Sequence, residues 1–268
     1  MATSVIRGRD VRRIILDQSR RAHVGHIGSA LSIADIVAVL YSHVLRIESP
    51  LDHDRDRFVL SKGHAALAVY SILHLKGWLR DGQINTFCSD NTMLGVHPEH
   101  CLPGVDFATG SLGMGLGYGA GAALAARMQR SSRSVYVLLS DAECNEGAVW
   151  EAAMFAGHHK LRNLTAIIDA NGQQALGYTR DVINLDRIAE SWTALGWDVA
   201  TVDGHDAKSL REIFDSNRDE PGRPRLILAR TVCGKGVSFM EGQIKWHYYP
   251  MTEEEHAQAV SEVEGQPV

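Results

Sequence analysis

The sequence predicts an α/β fold: a doubly wound, mostly parallel sheet flanked by helices. Three apolar runs, 134–140 (S-V-Y-V-L-L-S), 164–170 (L-T-A-I-I-D-A) and 225–232, are too short for helices and fit buried strands. Between the first two lies A-V-W-E-A-A-M-F-A-G-H-H-K-L, whose Val149, Ala153, Ala156 and Leu161 share one side of a helix. Those segments make one βαβ unit with an acid, Asp141 or Asp169, at the end of each strand. At 268 residues, with 45% hydrophobic and 22% charged residues, the chain can bury one sizeable core, so a single domain over 1–268 is expected.

From the start, V-R-R-I-I-L-D-Q-S-R-R-A reads as a helix with Val11, Ile14 and Ile15 inward. Gly25-His26-Ile27-Gly28-Ser29 is a glycine-bracketed turn presenting a histidine. Ser32 is a good N-cap for the next helix, whose Ile33, Ile36, Val37, Leu40, Tyr41 and Val44 follow helical spacing. After a charged loop from Asp52 to Arg57, F-V-L-S is a short strand that ends on Lys62-Gly63-His64 before another helix. Histidines at turns where elements begin stand where functional groups concentrate. His43, His53 and His74 suggest no role.

Gly95-Val96-His97-Pro98-Glu99 precedes T-G-S-L-G-M-G-L-G-Y-G-A-G, a loop entering a helix that a ligand or neighbouring backbone approaches closely. Its glycines fit no G-x-G-x-x-G frame, so a dinucleotide fingerprint is unsupported. Further on, Asn184 to Leu195 reads as a helix stopped by Gly196, and V-A-T-V as a strand. Asp203-Gly204-His205-Asp206 turns into K-S-L-R-E-I-F, with His205 assigned to turn structure. Cys233-Gly234-Lys235-Gly236-Val237 follows the third apolar run, Trp246-His247 sits in a loop, and the tail reads as a solvated helix without a chemical role.

A net charge of −5 argues against a nucleic-acid partner. No apolar run approaches the length of a membrane span, and the first ten residues lack a leader's apolar stretch. Cysteines 88, 101, 144 and 233 form neither a C-x-x-C pair nor a zinc spacing, so reduced thiols in a cytoplasm are expected.

In open parallel sheets ligands bind beyond the strands' carboxyl ends, so Asp141 and Asn171 (171 minus 141, 30 apart) are expected to face one crevice. Two such oxygen donors suit Mg2+, which takes its remaining ligands from phosphate and water. The site they predict is a Mg2+-bound diphosphate.

Ser140-Asp141-Ala142 with Asn171 resembles the thiamine diphosphate motif of the transketolase family, G-D-G followed about thirty residues later by N. G-H-I-G, S-K-G-H-A, H-P-E with T-G-S-L-G-M-G, V-D-G-H-D, G-K-G-V-S-F-M and W-H resemble that family too, in family order from about Val11 to His247. The resemblance implies the thiamine diphosphate-binding fold and the amino-terminal subunit of a split transketolase. Such a chain transfers a two-carbon ketol unit from a ketose to an aldehyde, and is active only with a pyrimidine-binding partner, as a heterotetramer with two copies of each. It further implies that His26 and His97 face the ketose hydroxyls, with His64 and His247 between diphosphate and reacting carbon. Glu146 would link the two cofactor sites across the dimer interface. Gly110, Ser111 and Leu112 would flank the cofactor ring, and Ala142 and Glu143 would adjoin the diphosphate. Mg2+ would rest on Asp141, Asn171 and the backbone carbonyl of Gln173.

Four departures stand out. Ser140 and Ala142 replace both glycines of G-D-G, and a Cβ at 142 costs roughly 1 kcal/mol if φ there is positive. Met114 replaces a glutamine. Ile27 replaces a proline and W-H-Y-Y the usual W-H-G, and with Ser140 and Ala142 these suggest an unusual donor or acceptor. The rival readings are another thiamine diphosphate enzyme, of deoxyxylulose-phosphate synthase or oxo-acid dehydrogenase type, and a non-catalytic regulatory subunit. The four histidines in family order favour transketolase over the first. Retention of Asp141, Asn171 and Glu146 argues against the second.

Overall fold

A computed structural model describes residues 5–216 and 222–265; the opening Met1–Ser4, included in the reading for a leader, lies outside them. In chain order the strands are β1 (Arg57–Leu60), β2 (Val135–Ser140), β3 (Leu164–Ala170), β4 (Gln173–Gln174), β5 (Gly177–Tyr178), β6 (Asp198–Asp203) and β7 (Arg225–Arg230). The helices are α1 (Gly8–Ala22), α2 (Ile27–Ser32), α3 (Ala34–Val39), α4 (Ala66–Leu75), α5 (Asp81–Ile84), α6 (Met114–Met128), α7 (Gly147–His158), α8 (Thr179–Val182), α9 (Ile188–Ala194), α10 (Ala207–Asp215) and α11 (Glu253–Glu264). Five strands form one parallel sheet in the order β1-β2-β3-β7-β6, and β4 and β5 form a small antiparallel hairpin.

Both faces of the sheet are covered, which is why its central strands read as continuous apolar runs. On β2, Val137 and Leu139 enter one core while Leu138 enters the other; on β3, Ala166 and Ile168 oppose Ile167 in the same way. Residues of α6, α7 and α9 fill the first core, and those of α1, α3, α4 and α10 fill the second. Stepping outward from β1 through β3 to β6 places α6, α7 and α9 on one face, while the return from β6 to β7 places α10 on the other. Right-handed crossovers produce this arrangement. Beyond β3 and β7 the chain therefore departs in different directions, and a crevice opens at their carboxyl ends.

Several local expectations are corrected. Ser32 caps no helix: α3 starts one residue later, behind Ile33, and the Ser32 hydroxyl bonds to Ser29 and Asp169. A hydroxyl beside a buried carboxylate is worth more there than at a helix end already continuous with its neighbour. The helix expected over 184–195 is confined to α9, because the Asn184 and Asp186 side chains bond locally in a turn before it. Gly196 ends it at φ 88, as expected. Most of the glycine run lies inside α6 rather than before it. The tail helix α11 is not merely solvated, since Ala259 and Val263 are buried and Glu253 and Glu264 pair with Arg20 and Arg13 of α1. Among the described residues no helix is long and apolar enough to cross a membrane.

Candidate active site

Four neighbouring strands, from the edge strand β1 inward, carry polar residues at their carboxyl ends: Ser61 and Lys62 after β1, Ser140 and Asp141 at β2, Asp169 and Asn171 at β3, Thr231 and Cys233 after β7. A cavity of about 330 Å3 lies there. His26, His64, His97, His247, Gly110, Leu112, Ala142, Glu146, Asn171 and Gln173, all singled out from the sequence, line it. Asp141 is buried beside it, whereas Ser111 is exposed and does not line it. A larger cavity, about 570 Å3, lies at the opposite ends of the strands among Arg127, Arg130, Arg133 and Arg162 and contains none of these residues.

Three histidines drawn from separate turns form a triangle. Ring centroids are 5.4 Å apart for His26 and His64, 5.4 Å for His26 and His247, and 5.7 Å for His64 and His247. His26 holds a left-handed φ of 59°, a conformation that costs a non-glycine residue about 1 kcal/mol and that clusters at functional sites. Its Nδ1 is buried without a partner. Burial lowers the His26 pKa, helped by His97 and Lys62. His64 is pushed well below the ordinary value by burial, then by Lys62 and its neighbouring histidines. Burial, His26 and Lys62 bring His247 down to about 4. All three are thus neutral imidazoles at neutral pH, able to accept a proton on one nitrogen while donating from the other. His97 sits at the exposed rim, its carbonyl held by the Tyr70 hydroxyl at 3.0 Å.

The Asp141 carboxylate accepts from Ala142 N–H at 2.8 Å and Gly172 N–H at 2.7 Å. Burial and the charge of Asp169 still push its pKa to about 7. A carboxylate so disfavoured in its charged form is a place where a cation is favourable. Asn171 accepts from Gln173 N–H at 2.9 Å and donates to Asp169 at 2.8 Å. The side-chain Gln173 Oε1, Gln174 Nε2 and Asn145 Oδ1 are buried without partners. Such orphaned groups at a cavity wall call for a ligand. Among the described residues no group of three His, Cys, Asp or Glu converges as a transition-metal site would. One carboxylate with amide and carbonyl oxygens fits a hard cation that keeps phosphate and water ligands.

Glu143 stands apart from the cavity. Wholly buried, it accepts from the Ser61 hydroxyl at 2.5 Å, Gly113 N–H at 2.7 Å and Ser140 N–H at 3.2 Å, tying three loops together. Gly113 is required there: its φ is 88°, and a Cβ would lie 2.8 Å from that of Glu146.

Sequence reasoning missed the charge at the centre. Lys62 and Asp169 are both fully buried and paired at 2.5 Å, with Ser32 and Thr231 also donating to Asp169. An acid inside an apolar strand has to be paired, and that was the signal available.

A family model described as "Transketolase, thiamine diphosphate binding domain" matches residues 6–267. The chain belongs to the transketolase family. Over 260 residues it is 38% identical to the 6-deoxy-6-sulfo-D-fructose transketolase subunit SqwG of Clostridium sp. (strain MSTE9), covering 95% of this chain and 94% of that one. Over 254 residues it is 39% identical to an apulose-4-phosphate transketolase subunit of Phocaeicola vulgatus, covering 94% and 90%. The transketolase structure from Campylobacter jejuni superposes with a TM-score of 0.89 at 31% identity, over 96% of this chain but 42% of that one. Relative to these transketolases, the chain corresponds to the amino-terminal, thiamine diphosphate-binding subunit of a split enzyme, and the family's members are ketol-group transferases.

Proposed function

We propose that the chain is half of a thiamine diphosphate- and Mg2+-dependent transketolase, moving a two-carbon ketol unit from a ketose to an aldehyde once a pyrimidine-binding subunit completes the site. The observation that carries this reading is the triangle of neutral histidines lining one cavity with Asn171 and Gln173, with Asp141 bonded to the same loop through Gly172 N–H.

Asp141, Asn171 and the Gln173 carbonyl would hold Mg2+, and the metal's charge would stabilise an Asp141 carboxylate that burial alone disfavours. Bound cofactor supplies the carbanion equivalent on which carbon–carbon cleavage depends. His26 and His97 bind ketose hydroxyls; a neutral His26 with a free buried Nδ1 can hydrogen-bond one without importing charge. His64 and His247 shuttle protons at the substrate oxygens, which requires imidazoles that are uncharged at the working pH. Leu112 and Gly110 wall the cavity and exclude water, and Glu146 at its exposed rim reaches toward the second site of the assembly.

The two relatives from Clostridium and Phocaeicola carry the names of ketoses with an anionic end, a sulfonate and a phosphate. An anionic ketose is the donor class proposed here, with the anion gripped by the partner, because the cavity's lysine is already neutralised by Asp169. Two copies of each subunit in the cytoplasm complete the reading, and four free cysteines suit a reducing compartment.

The experiment is reconstitution with a carboxy-terminal transketolase half, followed by a Mg2+- and thiamine diphosphate-dependent assay of β-hydroxypyruvate consumption. Each half on its own serves as control. Activity confined to the mixture is expected. Activity in either half by itself, or no cofactor bound by the assembled pair, would overturn the proposal.

A further inference from the structure

We propose that His205, on the far side of the β7 exit from the cavity, is a positioning residue that sets the cavity's back wall through Val232. The inference rests on the cofactor reading above for its consequence, but not for its geometry.

His205 Nδ1 lies 2.9 Å from Asp35 Oδ2, and its Nε2 accepts from Val232 N–H at 2.8 Å. Because a backbone N–H can only donate, Nε2 carries the lone pair and Nδ1 the proton that goes to Asp35. Arg12 closes the relay from α1, its Nη1 3.1 Å from Asp35 Oδ1 and its Nη2 on Oδ2. Burial alone would raise the Asp35 pKa, but the His205 hydrogen bond and the Arg12 charge outweigh it and hold the carboxyl below its ordinary value. Asp35 is thus a fixed anion that orients the imidazole, as a metal-bound histidine is oriented by the acceptor behind it.

What the imidazole orients is the first turn after β7. Val232 stands between Thr231, whose hydroxyl donates to Asp169, and Cys233, which lines the cavity. Gly234 N–H then donates to the Gly28 carbonyl at 2.9 Å, and a Cβ on Gly28 would sit 2.6 Å from Cys233 Sγ. The same turn therefore fixes the Lys62–Asp169 pair on one side and the helix that starts behind His26 on the other. Without His205 the Val232 N–H loses its partner, and the turn gains freedom to shift by the few tenths of an ångström that a bound diphosphate would register.

The test compares wild type, His205→Ala and His205→Gln, each assembled with the partner subunit. Amide exchange is followed by mass spectrometry, and thiamine diphosphate affinity with Mg2+ is measured by calorimetry well below the melting temperature. In the alanine variant, exchange over 231–236 and 26–30 should accelerate on the order of tenfold while β2 stays protected. Cofactor affinity should fall on the order of tenfold, the scale of one part-buried donor left without its acceptor. Glutamine, which supplies both a donor and an acceptor, should recover most of both. Unchanged exchange over 231–236 overturns the proposal, and so does faster exchange there with undiminished affinity, which leaves His205 a merely structural residue. Should wild type bind no cofactor, the proposed function fails instead, and the positioning role is then decided by whether exchange at 26–30 follows 231–236.

Discussion

Lys62 Nζ lies 2.5 Å from Asp169 Oδ2 with both side chains wholly shut off from solvent. The Ser29 carbonyl at 3.1 Å takes a further Lys62 proton, and Ser32, Asn171 and Thr231 donate to Asp169. Burial alone would raise the Asp169 pKa, but Lys62, Thr231 and Ser32 outweigh it and leave it lowered. The stability Asp169 contributes is therefore present above the ordinary carboxylate range and lost as pH falls through its lowered folded value. Replacing Lys62 by Met strands a buried charge, for which about 3–5 kcal/mol of lost stability is expected by chemical denaturation. Adding Asp169→Asn should recover part of that loss. A double variant no more stable than Lys62→Met would show that the pair is not the source.

The histidine triangle sets a second expectation. Folded His26, His64 and His247 resist protonation, while unfolded imidazoles take up protons near pH 6.5. Between there and about pH 4 the unfolded chain binds more protons, so their contribution to stability is intact above pH 6.5 and is lost on acidification. An NMR titration should place the His247 midpoint at about 4. A midpoint at the ordinary value would remove the neutral-imidazole basis for proton shuttling.

Asp141 works in the opposite sense. Its folded pKa of about 7 means that the folded chain keeps a proton which the unfolded chain has released. The contribution is full below the ordinary aspartate value and is lost as pH rises through about 7. Asp141→Ala should remove that slope from the metal-free protein. It should also abolish any effect of Mg2+ on thiamine diphosphate affinity, measured by calorimetry. A Mg2+ effect of wild-type size in the variant would sink the metal assignment.

Much of the site was legible because strand ends and turns carry it. His26, His64, His97 and His247 sit in short motifs whose placement the parallel sheet dictates, and Asn171 follows β3 directly. What escaped was long-range pairing. Ser32 looks like a helix cap, yet its partner Asp169 lies 137 positions away in sequence. Glu143 reads as a diphosphate neighbour, and nothing in the sequence signals that its side chain braces Ser61, Gly113 and Ser140. Short-range rules see a residue's neighbours in sequence, whereas burial and partner are decided by which strands lie side by side.

Ala142 in place of glycine gives a prediction of near-neutrality. Asp141 takes helical angles, φ −60° and ψ −47°, and Ala142 opens a short 3-10 turn without a positive φ. The strain of roughly 1 kcal/mol expected for a left-handed alanine is therefore not incurred. Its N–H is held by the Asp141 carboxylate at 2.8 Å. Ala142→Gly should change thiamine diphosphate affinity by less than about threefold, with a small loss of stability from glycine's greater freedom in the unfolded chain. A tightening of tenfold or more would show that the Cβ obstructs the ligand.

Tyr248 stands where the family pattern has glycine, half-exposed, its ring 5.1 Å from that of His247 and its hydroxyl donating to the Ala175 carbonyl. Ala175 lies in the β4–β5 hairpin, which also carries Gln173 and Gln174 at the cavity wall, so this one bond fastens the hairpin to the His247 loop. Tyr178 makes a weaker tie the other way, its hydroxyl 3.4 Å from the Gly242 carbonyl. The two parts of Tyr248 should separate by substitution. Phenylalanine keeps the ring against His247 and loses the clasp, a loss of about 1 kcal/mol that should appear as a several-fold weaker cofactor affinity with aldehyde selectivity preserved. Alanine removes the ring as well, and should in addition broaden the range of aldehydes accepted, read as the ratio of kcat/KM between a short and a bulky acceptor. An unchanged ratio in Tyr248→Ala would show that the aromatic pair does not border the acceptor's path, leaving Tyr248 a fastener of the hairpin alone.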